Sequence, residues 1–554
     1  MQEATRQVGG LGRGAAPWVA AALASALFAL PLVLLVRCRA DYVVFANESL
    51  AYRYFACERL QHGERGTVWL PQGQLLGVMQ HGILFVVEHA LPWSRDDLRH
   101  RANAFGLGTT LANVLVMAAI FFAVARARTL TWSDKLLVFL VGLVPLYATG
   151  PAGVYYSVLP DYYHTDIVLV TLAAAVFIGQ LRAGQSSRPL ARAALVGALA
   201  GLLVANKITL AVAGGMAVAP ALCAGGPGLR EGIRRLLTAA AAAAAAFLLV
   251  MLAFYLFHPS AVVEVLPRWA GFAQTAGGEA NFWRLGFWFF VRQYQYGYVI
   301  AFWLVAAGAA VVLAWRGNTG RAVAGLALLN VLAGLACAGF LYKRPAGTTF
   351  FEVAVLLTGL AGMALALVGR ERLRHGLVLA AAVAWALLSA VTFPGNPTLP
   401  SLRDSARAGD RFWAIHREIL RLAAGRKIVV VLPDNSYGYC GVQEFLLKGA
   451  SDFPTWDISA RGQNIIDRFA PHMVFRHDGG RTPPGAGFPG DSLVVWFDRP
   501  GLPAVAARYQ SLTEALHTAG AAAWAWDVAD AHGRPFVRAR ACLVPARPTG
   551  GAGH

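Results

Sequence analysis

The feature that most constrains this chain is a succession of long apolar runs separated by short arginine-bearing connections. A membrane span needs about 20 apolar residues, because a helix rising about 1.5 Å per residue must cross a hydrocarbon core about 30 Å thick. The run from Pro17 to Val36 meets that length, and further runs cover 103–125, 136–150, 165–182, 193–206, 208–225, 236–257, 297–315, 322–341, 350–369 and 376–393, eleven in all. Composition agrees: 57% of the 554 residues are hydrophobic and 14% charged, against about 25% charged in a soluble domain. So apolar a chain cannot cover itself with polar groups in water, which argues against a wholly soluble protein, a disordered chain or a small disulfide scaffold. The expected fold class is mainly α, a polytopic membrane helix bundle.

The net charge is +18. In a soluble protein that would raise nucleic acid as a partner. Here cations flanking membrane spans explain it better, and no nucleic-acid partner is expected. Arg126, Arg128 and Lys135; Arg182, Arg188 and Arg192; Arg230, Arg234 and Arg235; Arg316 and Arg321; and Arg370, Arg372 and Arg374 occupy alternate connections. The positive-inside rule then makes residues 1–16 a cytoplasmic tail and puts the C-terminus outside. Pro17–Val36 is too long for a signal-peptide core and has no convincing cleavage site, so it is read as an uncleaved span. Leu75–Leu91 carries Gln80, His81, Glu88 and His89. Were it a span, every later loop would invert, so it is expected to lie along the outer interface, making 38–102 one long external loop. The expected site is the inner (plasma) membrane, in a multi-pass arrangement.

Past residue 394 the chain turns rich in Pro, Gly, Asp and Arg. Lys427–Leu432 and Leu493–Phe497 read as strands, and Arg411–Ala424 and Ala504–Ala519 as helices. Residues 395–554 are thus expected to form an extracytoplasmic (periplasmic) α/β domain following a transmembrane domain at 17–394. Cys38, Cys57, Cys440 and Cys542 fall outside the spans, an even number that permits disulfides; Cys38–Cys57 and Cys440–Cys542 are the pairings considered.

Several polar groups on the outer side are chemical candidates. Asp41 and Glu48 follow the first span seven residues apart, on one face if the segment is helical. A carboxylate beside a cavity there can serve as general base, or be an ordinary solvated loop residue. Asp161, His164 and Asp166 stand among tyrosines just before a span. Belt aromatics are routine, but ionisable groups near lipid usually face a cavity. A divalent cation on Asp161, His164 and Asp166 is considered, though no spacing makes it specific. Lys207 ends the span GALAGLLVANK as a snorkelling lysine or a phosphate contact. Lys343 and Arg344, in YKRPAGTTFFEV, are cations on the side where the trend disfavours them; an anionic head group or a diphosphate would account for them.

This layout resembles the GT-C superfamily of membrane glycosyltransferases, in the branch of protein O-mannosyltransferases and aminoarabinose transferases. Asn47-Glu48-Ser49-Leu50-Ala51-Tyr52, followed by Gly63, resembles the acidic motif after the first span. Arg101-Ala102-Asn103-Ala104 looks like the Arg-led start of the second span, and Pro160-Asp161 to Asp166 like a second acidic site. Gly197–Gly201 up to Lys207 is similar to a Gly-rich span ending in Lys. The resemblance covers roughly residues 15–395. It implies inverting transfer of a sugar from a polyprenyl-phosphate donor to a glycan, lipid or protein acceptor at the outer face, among membrane lipids. Glu48 or Asp41 would be the base, Asp161 and Asp166 would orient the acceptor or assist, and Lys343, Arg344 and Lys207 would hold the phosphate. His164, Arg101 and Tyr52 join the substrate-binding candidates. The alternative is a lipid or solute transporter or flippase built on a similar bundle.

Overall fold

In a computed structural model, described over 10–42, 47–61, 73–91, 98–147, 151–183, 188–223, 228–259, 347–392, 398–432, 473–477, 491–498, 523–529, 535–544 and isolated positions between 263 and 333, the chain is mostly helical with a small C-terminal sheet. The helices are α1 (Gly10–Cys38), α2 (Asn47–Gln61), α3 (Gln74–Ala90), α4 (Leu98–Arg126), α5 (Trp132–Tyr147), α6 (Pro151–Val158), α7 (Tyr162–Arg182), α8 (Pro189–Asn206), α9 (Ala211–Cys223), α10 (Leu229–Phe254), α11 (Gly347–Ala366), α12 (Glu371–Thr392) and α13 (Thr398–Ala423). Among the described residues, five helices are long and apolar enough to cross a membrane: Gly14–Cys38, Arg99–Arg126, Tyr162–Arg182, Pro189–Asn206 and Leu229–Phe254. Ile208–Cys223 and Phe351–Ala366 are shorter apolar helices. The runs at 297–315 and 322–341 lie outside the described residues apart from isolated positions.

The chain divides into two compact units. The first holds residues 1–33, 70–83 and 107–398. At its centre α5, α7 and α11 pack together, with Phe121 of α4 edge-on to Phe139 of α5. The Gly-rich stretch of α8 has a packing role. A Cβ on Gly197 would collide with the Ala239 carbonyl, and one on Gly201 with that of Ala243. Small residues four apart let two helix backbones approach closely in a bundle that lacks a hydrophobic drive between helices. Ala239, Ala243 and Ala246 of α10 therefore supply a helix–helix contact surface. The chain reverses after α8 at Lys207, whose backbone is extended (φ −159°, ψ 130°), and α9 returns with Gly214 against Ala200.

The second unit joins 34–69, 84–106 and 399–554, so parts of the long first loop and the C-terminal region belong to one body. Its sheet comprises β1 (Lys427–Leu432), β2 (Met473–His477), β3 (Ser492–Asp498), β4 (Ala523–Ala529) and β5 (Pro535–Val544), in the order β2-β1-β3-β5-β4. β1 pairs parallel with β2 and β3, while β5 pairs antiparallel with β3 and β4. Leu493, Val494 and Val495 of β3 are buried, as an inner strand covered on both faces requires. Both expected strands form, and so does the expected helix ending near 424, as α13. Gly425, at φ +81°, takes the left-handed turn between α13 and β1. The expected helix 504–519 lies outside the described residues.

The Cys38–Cys57 pairing does not form: neither cysteine is in a disulfide, and Cys57 is buried in this unit. Burial pushes its thiol up to about 12, against a lowering by Arg53. Cys542 is also free, and Cys440 lies outside the described residues.

Candidate functional site

The first unit gathers its ionisable groups at the two ends of α7. At the N-terminal end, Asp161 caps the helix with extended backbone (φ −122°, ψ 174°), its carboxylate accepting from the Tyr162 N–H at 2.7 Å. That satisfies one of the first-turn donors that a helix leaves open. One turn in, Asp166 faces the tip of the α8–α9 reversal. Asn206 donates its side-chain amide to Asp166 Oδ1 at 2.7 Å, and Lys207 Nζ stands 3.9 Å from Asp166 Oδ2. Glu352, near the start of α11, closes the group. It is ion-paired with Lys207 and accepts the Tyr162 hydroxyl at 2.8 Å. The ammonium also lies 4.7 Å from the centre of the Tyr162 ring, in cation–π range. Lys207 is 1% exposed and Asp166 2%. A fully buried carboxylate and a largely buried one therefore share one buried ammonium.

Asn206 also ties α3 to this end. Its carbonyl accepts from the Gly73 N–H at 2.5 Å, and its side-chain oxygen from the Leu76 N–H at 3.3 Å. Gln80 donates to the Pro160 carbonyl at 2.8 Å and to Thr109 at 3.4 Å. The polar residues that kept this run from reading as a span thus include an anchor to the bundle. Its more distal residues, Phe85 and Val86, are exposed.

At the opposite end of α7, Arg182 grips Asp134 of α5 with two hydrogen bonds of 3.0 Å and donates to the Ala366 carbonyl at 2.8 Å. Arg374 of α12 stands 3.4 Å from Asp134 Oδ1 and donates to the Val368 carbonyl at 2.9 Å. Thr131 adds a hydroxyl to Asp134 Oδ2 at 2.8 Å. Since α7 and α11 meet at both ends, they run parallel, with α5 and α8 antiparallel to α7. From Asp166 to Arg182 is 16 residues of helix, about 24 Å.

In the second unit Asp41 is 1% exposed. Arg99 donates to its Oδ2 at 2.8 Å and to Asp410 Oδ1 at 2.6 Å, and the Asp41 N–H donates to Ser405 Oγ at 3.2 Å. Gly409 lies so close that a Cβ there would strike the Asp41 carboxylate. Arg101 approaches Glu88 at 3.8 Å, and desolvation outweighs this cation to raise the Glu88 pKa.

Of the residues singled out by sequence, Asp166 and Lys207 come together, with Asp161 five residues earlier on the same helix start. His164 stacks on Phe28 at 4.7 Å, and neither ring nitrogen finds a hydrogen-bond partner among the described residues. The metal set Asp161, His164 and Asp166 is not formed: among the described residues no three His, Cys, Asp or Glu side chains are placed to hold a metal ion. Their spacing around the start of α7 turns them to different neighbours, a capping N–H, an aromatic ring and an ion pair. Asp41 and Arg101 belong to the second unit. Glu48 and Tyr52 lie on α2 with side chains outside the description, and Lys343 and Arg344 lie outside the described residues. Sequence reasoning missed Glu352 and Asn206. The signal for Glu352 was a carboxylate inside an apolar run, which is costly in lipid and marks a site. Comparison with protein-family models and with curated proteins finds no match.

Proposed function

We propose that this chain is an integral-membrane glycosyltransferase that moves a sugar from a polyprenyl-phosphate donor to an envelope acceptor at the outer membrane face, with inversion. The observation that carries the reading is the buried Asp166–Lys207–Glu352 group with Tyr162 and Asn206, at the end of α7 where the sequence pattern expects external loops. The eleven-span topology, with the N-terminus inside and the C-terminal domain outside, is part of the proposal. Membership of 34–69 and 399–554 in one unit supports it, because both then share a side.

In this mechanism the acceptor oxygen attacks the anomeric carbon as the bond to the phosphate oxygen breaks. The phosphate leaves with the electron pair, and a carboxylate takes the acceptor proton. Asp166 and Glu352 orient the acceptor. Lys207 keeps the two carboxylates together and lends positive charge to the developing phosphate. The sequence pattern offers Glu48 or Asp41 as the base, and in the second unit Asp41 is held by Arg99 beneath Gly409. Lys343 and Arg344 remain the proposed phosphate contacts. No divalent cation is assigned.

The test is transfer by the purified chain from a polyprenyl-phosphate sugar. Asp166→Asn and Glu352→Gln should each lower transfer by about 10²–10⁴-fold; full transfer by both variants overturns the assignment. A transporter or flippase is the second reading, favoured by the ion group buried inside a helix bundle. It predicts movement of lipid or solute across liposomes that the same variants abolish, with no transfer.

A further inference from the structure

The flank of the first unit between the end of α7 and the start of α8 opens into a groove of about 390 Å³, lined by Val176, Gly179, Gln180, Arg188, Arg192 and Leu195 among others. Its shaft is apolar, and its polar end carries two guanidinium groups. Arg182, though adjacent in sequence, faces Asp134 and the Ala366 carbonyl and is not part of the lining. Arg192 donates to the Gln180 carbonyl, which holds its guanidinium at the polar end. Gln180 donates its amide to the Ala217 carbonyl at 3.3 Å, while its side-chain oxygen is buried with no donor among the described residues. Opposite, the Gly179 Cα has open space where a side chain would stand, and Leu195 is 69% exposed.

We infer that this groove binds one anionic glycerophospholipid. The phosphate meets Arg188 and Arg192, and an acyl chain lies along Val176, Gly179 and Leu195. Charge complementarity selects an anion over a zwitterion, and the apolar lining of Val176, Gly179 and Leu195 selects a lipid over free phosphate. The groove sits within two turns of the end of α7, the depth of a head group. In the orientation proposed above this is the cytoplasmic leaflet, opposite the reaction site. The inference needs only that orientation and not the transfer reaction.

The experiment is native mass spectrometry of the full, lipid-depleted chain, titrated separately with phosphatidylglycerol and with phosphatidylcholine of the same acyl length. Phosphatidylglycerol should bind about tenfold or more tightly, the scale expected of two arginines near an anionic head group. Arg188→Gln with Arg192→Gln should remove that preference. Gly179→Leu, which fills open space and leaves the helix contacts intact, should weaken phosphatidylglycerol at least tenfold, and it keeps the test valid should the arginine variant fail to fold. Equal binding of the two lipids, an unchanged preference in the arginine variant or unchanged binding in Gly179→Leu overturns the inference. So does displacement of the lipid by glycerol phosphate at equal concentration, because the acyl chain would then contribute nothing.

Discussion

Opposite ends of one helix solve the problem of a buried carboxylate in different ways. At the C-terminal end of α7, Asp134 meets a two-pronged arginine, a second arginine and a threonine hydroxyl. Arginine's planar fork matches carboxylate geometry and fills its lone pairs in fixed directions. At the N-terminal end, Asp166 and Glu352 divide a single lysine, and among the described residues each accepts one further hydrogen bond, from Asn206 and Tyr162. A lysine is a point charge with rotatable donors. It leaves carboxylate oxygens with capacity to spare and one more negative charge than it can cancel. The first arrangement closes a bundle; the second is suited to receiving a proton or a hydroxyl.

The largest effects should separate these two ends. Lys207→Met leaves Asp166 and Glu352 facing each other without a cation. Transfer should fall by more than about 10²-fold, with the variant still extractable as folded protein, because one carboxylate can take a proton. Asp134→Asn should do the reverse. It strands two arginines and costs about 3 kcal/mol, the lower end for breaking a buried pair because Arg182 is 21% exposed, while transfer per folded molecule stays within a few-fold. Thermal unfolding beside the transfer assay reads both, and a variant at either end that lost both properties equally would erase the distinction.

What the sequence made legible follows from range. Apolar runs report a local property, and among the described residues helices lie where nine of the eleven runs were read; the strands at 427–432 and 492–498 were likewise visible as short β-branched stretches. Lys207 and Asp166 were visible as costly residues beside lipid. Their partner was not, because Glu352 is 186 residues from Asp166 and nothing local in FFEV says which helix it will face. Arg99 was hidden for the same reason, since its second carboxylate, Asp410, is 311 residues away. The glycines of α8 carried a packing message that needed the alanine run of α10 to be understood.

Asp41 offers an intermediate test, because it is a candidate base that the fold treats in the manner of Asp134. Arg99 clamps it to α13, so Asp41→Asn should cost about 1–3 kcal/mol of stability, the range for weakening a buried charge-assisted hydrogen bond, and reduce transfer less than tenfold. Glu48→Gln should reduce transfer at least a hundredfold with little change in the unfolding midpoint. Should Asp41→Asn prove the more damaging to transfer, the arginine clamp would not distinguish structural from chemical carboxylates.

The smallest effect belongs to Glu88, where the arginine is too far to clamp. Arg101 stands at 3.8 Å and desolvation raises the carboxyl pKa. A raised acid pKa means that the folded state binds the proton more tightly than the unfolded one. Ionised Glu88 therefore costs stability at neutral pH, and that cost is relieved as pH falls through its folded pKa toward the unfolded value. Glu88→Gln should leave the protein equally or slightly more stable at pH 7, on the scale of an ordinary surface change of about 0.5 kcal/mol. The advantage should shrink on acidification to about pH 4, the unfolded value for a glutamate. A loss of stability at pH 7 would show that the 3.8 Å contact clamps as well as the 2.8 Å one at Asp41. Arginine distance would then no longer rank these carboxylates.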